Sequence, residues 1–333
     1  MPSQLLHTLF GEDIAAGLCS GTPKICGFER INTVYRGIFS LGCQGPDIFY
    51  HNRRTRPSAL EYGVLLHRRN YGIFCKNIFS HHSGITIPDI NIRDIYALGF
   101  MTHAILDRFC HPCIVYKSSN AKGIYHPFFE RIIDVLMFKA LRDQEIVSWD
   151  QGLLADNCES LPVGLKGIIA RALAAAFPEK ANRDKELAQR IDNALADSAR
   201  YYRLSDPSQT CLNVWNTAER PIPVNSRFLS LVFPENLPSD IDFLNLKKEP
   251  WYYPCHPAGS SAAPQQDTRS FPEIYADAVK AAVNFLSSGM IHTLDIGNGC
   301  LSIHDENGKP CVPNLVSPLP LDEVLQAQCR MRC

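Results

Sequence analysis

The sequence lacks most of the features that assign a chain at sight. It has no surplus charge: 33 basic side chains stand against 34 acidic ones, a net charge of −1. That balance excludes the strong basic excess of a dedicated nucleic-acid binder, and no stable nucleic-acid partner is expected. Long apolar runs are missing too. The most apolar stretch, residues 164–177, is interrupted by Lys166 and Arg171, short of the roughly 18 uncharged residues that a spanning helix requires. His7, Glu12 and Asp13 come too early for a signal peptide, so a cytoplasmic chain with no transmembrane segment is the expectation. There is no glycine-rich phosphate loop, nucleophile elbow or dinucleotide fingerprint, and no internal repeat, heptad run or convincing strand alternation.

What remains is a chain of 333 residues, 45% of them hydrophobic, long enough to bury a substantial core as one large domain or two ordinary ones. Two residue types stand out, 11 histidines and 13 cysteines. The cysteines are odd in number and scattered, and they read as reduced thiols rather than a disulfide framework. Cys110 and Cys113 form a CxxC pair around His111. A redox motif would need a βαβ setting, and a Cys₄ zinc site a second CxxC; both are missing.

The periodicity is helical. Ile95, Leu98, Ile105, Leu106 and Phe109 share a face of a helix from Arg93 to Cys110, which Pro112 should end near His111. A second helix carries Pro127 in its first turn and runs through residues 128–144. Further helices are expected at 164–177, 183–203 and 271–287. Residues 205–272 hold ten of the 23 prolines, the mark of a long irregular connection that wraps the domain, forms a lid or stays partly disordered. The reading is all-α: a multi-helix bundle over residues 1–204, with a Pro-rich extension over 205–333 containing one further helix and packed on the same domain.

Eight of the 11 histidines precede residue 127, and their spacing is informative. His103 and Asp107 are four apart, on one helical face, and His111 follows at the next interval of four. His126 and Glu130 repeat the interval on the following helix. One such pair also arises as an ordinary helix hydrogen bond or solvated charge pair. Two on successive helices suggest a metal site built in a bundle, where a carboxylate or imidazole facing the core needs a compensating partner. Imidazole with carboxylate and no required thiolate suits Zn²⁺ first, with iron or manganese also compatible. Upstream, Asp47 follows a Gly-Pro turn, His67 ends an apolar helical stretch, and His7 sits among Leu5, Leu6, Leu9 and Phe10. Singly, each also reads as a turn-forming Asp or a core or surface His.

Taken in order, a His near the start, Gly-Pro-Asp, Leu-Leu-His, HxxxDxxxH and HxxxE, this series resembles the zinc-dependent phospholipase C family. LGCQGPDIFYH in particular looks like a bacterial, intracellular-type branch. The resemblance covers residues 1 to about 140 and extends to the helix near 183–204. It implies the all-helical fold shared with single-strand nucleases of the P1 type, and a ligand for each motif residue. Asp47, His67, His103 and Asp107 would take one ion, and His111, His126 and Glu130 a second. A third would use His7, with Asp107 as a bridge. The secreted members begin with a Trp whose amine and carbonyl ligate the third zinc, whereas this chain begins Met-Pro-Ser, and its interval from Asp107 to His111 is shorter than theirs.

Closely spaced divalent ions are machinery for phosphoric ester hydrolysis. The resemblance gives Asp47 a second role, orienting or deprotonating the attacking water. Between His51 and Arg69, Arg53, Arg54, Arg56, Arg68 and Arg69 face the single acid Glu61. Guanidinium groups pair well with phosphate, so Arg53, Arg54 and Arg68 are candidates to hold a phosphate-bearing substrate, the alternative being a solvated basic loop. Of the nearby aromatics, Phe49, Tyr50, Tyr62 and Tyr71 could pack a headgroup or a base. The leading expectation is a phospholipase C-type phosphodiesterase acting on phospholipid or a small phosphodiester, with transient contact at a membrane surface. The alternatives are a P1-type nuclease and a helical metal-binding protein without turnover. His81 and His82 read as a loop pair, and His256, His292 and His304 have no partner at ligand spacing.

Overall fold

The computed structural model describes residues 4–20, 35–68, 70–79, 91–120, 124, 126–212, 229–252 and 266–287. These form an all-α structure. Its helices are α1 (Gln4–Ser20), α2 (Arg36–Cys43), α3 (Asp47–Tyr50), α4 (Leu60–Arg68), α5 (Tyr71–Ile78), α6 (Ile92–Asn120), α7 (His126–Arg142), α8 (Gly152–Glu159), α9 (Val163–Ala176), α10 (Pro178–Ala181), α11 (Leu187–Leu204), α12 (Pro207–Thr210) and α13 (Phe271–Ser287). Among the described residues the only sheet is two short ladders. Cys211–Leu212 pairs in parallel with Phe233–Pro234, and Trp251–Tyr252 antiparallel with Gln266–Asp267. No described helix is long and apolar enough to cross a membrane.

The architecture is organised around α6. Asn91 opens it, its Oδ1 accepting from the Asp94 amide at 3.1 Å in the manner of an N-cap. Ile95, Leu98, Phe100, Met101 and Phe109 along its length are fully buried. Helices α1, α2, α5, α7 and α13 all pack against it. Apolar stripes alone, at about 1.5–3 kcal/mol for each large side chain buried, explain why this 29-residue helix sits at the centre.

Glycine sets one crossing. Gly42 on α2 and Gly99 on α6 meet so closely that a Cβ on Gly42 would strike the Tyr96 carbonyl oxygen, and one on Gly99 the Phe39 carbonyl oxygen. The close approach lets the Cys43 carbonyl reach the His103 ring, at 3.2 Å from Nδ1. The turn between α2 and α3 then needs a left-handed residue, and Gly45 supplies it at φ 53°. A side chain there would also run into the His103 ring.

Two helix boundaries differ from expectation. α6 does not stop at His111 but continues through Pro112 to Asn120. A proline in a helix forfeits one backbone hydrogen bond, yet Cys113 and Ile114 beyond it are buried at 1% and 6% exposure, and that burial outweighs the local cost. α11 begins at Leu187 rather than 183. Asp184 makes the preceding turn, its carbonyl accepting from the Leu187 amide at 3.2 Å and its Oδ1 from the Glu186 amide at 3.1 Å. The Pro-rich connection, where described, wraps the core: Leu229, Val232, Phe243, Leu244 and Trp251 are all buried. α13 lies on α1 and α6, and the Tyr275 hydroxyl donates to Asp13 Oδ2 at 2.8 Å.

Gly45→Ala is expected to destabilise the fold by about 2 kcal/mol in urea unfolding, through backbone strain and displacement of His103. A loss below about 0.5 kcal/mol would mean that the turn tolerates a side chain.

Candidate metal centre

An α-helix turns 100° per residue, so the three residues His103, Asp107 and His111 do not form one straight row. From His103 to His111 the helix advances roughly 12 Å and drifts about 80° around its axis. His103 therefore looks toward α2, α3 and α4, whereas His111 looks toward α7, with Asp107 between them. This drift divides the predicted ligands into two clusters.

In the first cluster, Asp107 uses both oxygens: Oδ1 lies 3.4 Å from His7 Nε2, and Oδ2 lies 3.4 Å from His103 Nε2. Asp47, the first residue of α3, reaches His67 Nε2 through its Oδ1 at 3.2 Å. His7, His103 and Asp107 form one group of converging donors, and Asp47, His67 and His103 form another, with His103 common to both. All five residues are buried, at 0–5% exposure. In the second cluster, His111 Nε2, His126 Nε2 and Glu130 Oε1 make a closed triangle with edges of 3.4, 3.1 and 3.6 Å. The His126 side chain, at 14% exposure, is the most open of the eight predicted ligands.

The arrangement fits metal ions on three counts. Donors bound at about 2.0–2.2 Å to a tetrahedral ion lie roughly 3.3–3.6 Å apart, and the observed separations bracket that range. His67 Nε2, His103 Nε2 and Asp47 Oδ1 are buried atoms that form no hydrogen bond among the described residues. The 3.2 Å approach of His67 to Asp47 thus brings two acceptors toward a common point without hydrogen-bond geometry. Finally, the imidazoles are oriented from behind. His67 Nδ1 donates to the Gly63 carbonyl at 2.8 Å and His103 Nδ1 to the Cys43 carbonyl at 3.2 Å. A carbonyl only accepts, so each Nδ1 carries the proton and each Nε2 presents its lone pair. On the second cluster, Ser118 Oγ stands 2.8 Å from His126 Nδ1.

The carboxylates stay ionised in both clusters. Burial works against ionised carboxylates, but His103 and His7 hold Asp107 well below the usual range, and His67 and His103 lower Asp47. Glu130 is held down against burial with help from His126 and His111. Burial lowers His7 and His126, while Asp107 outweighs burial at His103 and raises it. His7 is braced by α7 and α2: Asp134 Oδ1 accepts from the Leu6 amide at 3.0 Å, and Gln44 Nε2 donates to the Gln4 carbonyl at 3.1 Å and to Thr8 Oγ1 at 3.0 Å. Unlike His67 and His103, His7 has no tether on its Nδ1.

The other candidates are not drawn into these clusters. Arg53, Arg54 and Arg56 lie exposed on the loop after α3, Arg53 Nε donating to the Tyr50 carbonyl at 3.2 Å. The Arg68 side chain, Arg69, His81, His82, His256, His292 and His304 fall outside the described residues. Phe49, Tyr62 and Tyr71 are core, and only Tyr50 is half-buried, with its ring 4.7 Å from that of His67. The CxxC thiols are buried, and burial pushes Cys113 up to about 12 and Cys110 well above its usual value, so neither supplies a thiolate.

One residue escaped the sequence reading. His51 lies one turn after Asp47, at a four-residue interval of the same kind. It is buried, its ring stacks on Tyr201 at 4.1 Å, and its Nδ1 lies 3.3 Å from Ser198 Oγ. Ser198 Oγ donates onward to the Ile48 carbonyl at 2.9 Å, so it accepts from His51. Burial takes this imidazole from 6.5 down to about 3.

No family model matches the chain, and no curated protein or solved structure matches it. The centre is therefore defined by its own geometry: buried His, Asp and Glu groups able to hold metal ions.

If His7 is a ligand, His7→Asn lowers the number of ions per purified chain by one, measured by elemental analysis; an unchanged count removes it from the set. For His51 the unfolded chain takes up a proton below pH 6.5, whereas the folded chain does not until about pH 3. Its contribution is thus fully present above pH 6.5 and is lost as the pH falls, at about 1.4 kcal/mol per unit. His51→Phe is expected to flatten the acid side of the stability profile by one proton, and an unchanged slope would contradict the neutral, buried assignment.

Proposed function

We infer that the chain is a zinc-dependent phosphoric ester hydrolase of the phospholipase C type, acting on a phospholipid or related phosphodiester. The observation that carries this reading is the pair of buried clusters built on α6. Asp47, His67, His103, Asp107 and His7 gather on one side of it, and His111, His126 and Glu130 on the other. Imidazole and carboxylate donors without thiolate favour zinc, with iron and manganese the next choices. The order of the motifs supports the phospholipase C assignment independently of the geometry.

Bound divalent ions would supply Lewis acidity at a phosphoryl oxygen and bring the acidity of a water toward neutral pH. The chain's own residues do the rest. Asp47 is kept ionised against burial by His67 and His103, and its Oδ1 is buried with no hydrogen-bond partner among the described residues. In this reading the Asp47 carboxylate would orient a water and accept its proton. The carbonyls of Gly63 and Cys43 hold two imidazoles in the ligating tautomer, sparing the site a reorganisation during turnover. Arg53, tied to the Tyr50 carbonyl beside the His67 ring, offers a cation to an arriving phosphate.

A second reading, a helical metal-binding protein without turnover, is favoured by one specific observation: His103 and Asp47 are only 0% and 2% exposed. Assays separate the two. The purified chain, with its metals quantified, is offered phosphatidylcholine, a chromogenic phosphodiester and single-stranded DNA. Hydrolysis of either of the first two is the expected result, with Asp47→Asn at least about 100-fold slower while retaining metal. Full activity in that variant would remove Asp47 from the mechanism, and no turnover at full metal occupancy would establish the non-catalytic reading.

A further inference from the structure

Away from the metal clusters, the corner between α10 and α11 holds an open cavity of about 500 Å³ lined by Lys180, Arg183, Asp184, Lys185, Glu186 and Arg190. Four cations against two carboxylates leave the lining at +2, in a chain whose overall net charge is −1. Much of the negative charge is already engaged. Asp184 Oδ2 takes the Tyr62 hydroxyl at 2.9 Å and Arg190 Nε at 2.8 Å, and Glu186 lies 3.5 Å from the same guanidinium. Lys180 is paired with Glu61 at 2.6 Å. Arg183 and Lys185 are different. Both are exposed, and neither side chain has a hydrogen bond or ion pair among the described residues.

The basic loop after α3 is seated against the same helix. Arg190 donates to the Ser58 carbonyl at 2.7 Å, Asn193 to the Pro57 carbonyl at 2.9 Å, and Asp197 Oδ2 accepts from the amides of Arg54 and Thr55 at 2.9 and 3.1 Å. These bonds leave the Arg54 side chain exposed, without a partner among the described residues and on the loop that Arg190 anchors. Arg190 thus links the cavity that it lines to this loop, on which Arg53 donates to the carbonyl of Tyr50, whose ring lies beside that of His67.

We propose that this cavity is a second, non-catalytic site for a phosphomonoester group, held chiefly by Arg183 and Lys185. A phosphomonoester carries about −1.5 to −2 charges near neutral pH, which the two unpartnered cations neutralise; a diester carries only one. The planar fork of Arg183 suits two phosphate oxygens, and the Lys185 ammonium acts as a point charge beside it. A cavity of this size admits a headgroup or a small phosphate compound. The same group can come free in solution or displayed on a lipid. The site touches none of the predicted metal ligands, so it stands whether or not the clusters catalyse hydrolysis.

The test uses the full chain and the double variant Arg183→Gln/Lys185→Gln, whose substitutions lie at the surface and whose helicity and metal content serve as controls. Binding is measured to inorganic phosphate, to vesicles of phosphatidylcholine with a minority of phosphatidic acid, to vesicles of phosphatidylcholine alone, and to a single-stranded oligonucleotide. Removal of two cations is expected to weaken phosphatidic acid vesicle binding about 30-fold, and phosphate binding with it. A loss confined to the vesicles assigns the site to a lipid-displayed monoester, and a loss confined to phosphate assigns it to a soluble one. Three results overturn the proposal: no binding of either probe to the unmodified chain, equal binding by the variant, or dependence on these residues for the oligonucleotide alone.

Discussion

Three carboxylates, Asp47, Asp107 and Glu130, lie almost wholly buried in a helical bundle whose nearest layers are leucine, isoleucine and phenylalanine. The rest of the structure answers to that constraint. An isolated buried carboxylate is too costly to remain ionised, and it is kept only when opposing charge or donors are brought to it. Here the opposing groups are five imidazoles from α1, α4, α6 and α7. Several features hold the elements that carry them in place: the Gly42–Gly99 crossing, the left-handed turn at Gly45, the Asp134 carboxylate on the Leu6 amide, and the Gln44 side chain across the start of α1. Direct imidazole–carboxylate contacts compensate part of the cost. The Nε2 atoms of His67 and His103 and the Oδ1 of Asp47, unbonded among the described residues, mark where that compensation stops and where a cation could be held.

The helices and the ligands were legible in the sequence for the same reason, a period of 3.6 residues. It located α7, α9, α11 and α13 to within a few residues and α6 at its start, and the four-residue intervals placed His103 with Asp107 and His126 with Glu130. Pro112 misled because a local rule was applied where long-range burial decides: Cys113 and Ile114 are held by the core, and one missing backbone bond does not release them. His51 was passed over because a buried, neutral histidine leaves no charge pattern; its partners Ser198 and Tyr201 lie about 150 residues away in sequence. The division of His103, Asp107 and His111 between two clusters was invisible for a geometric reason. Spacing shows that residues share a face, whereas the slow drift of that face around a long helix shows only in three dimensions.

Net charge conceals a similar division. The acids of the clusters are buried among the helices. The cations of the α3–α4 loop and of the α10–α11 corner are external, and several are without partners among the described residues. A chain of net charge −1 therefore presents a locally cationic face. Fields of this kind act over about one Debye length, roughly 8 Å at physiological salt, so an anion would feel them at this face and not over the remainder of the surface.

The two clusters also differ in a way that bears on access. The first is enclosed by α1, α2, α3 and α4, with its residues at 5% exposure or less. The second includes His126, whose side chain is the most open of the eight predicted ligands, and a serine hydroxyl rather than a main-chain carbonyl stands behind its ring. A hydroxyl rotates and can donate or accept, so it leaves that imidazole freer in tautomer and orientation than a fixed carbonyl leaves His67 or His103. Rigid, deeply buried donors suit an ion that stays; a more open donor with an adaptable partner suits one whose coordination must change as a ligand enters and leaves. The asymmetry follows directly from the drift of about 80° along α6, which turns one end of the ligand row into the bundle and the other toward its edge.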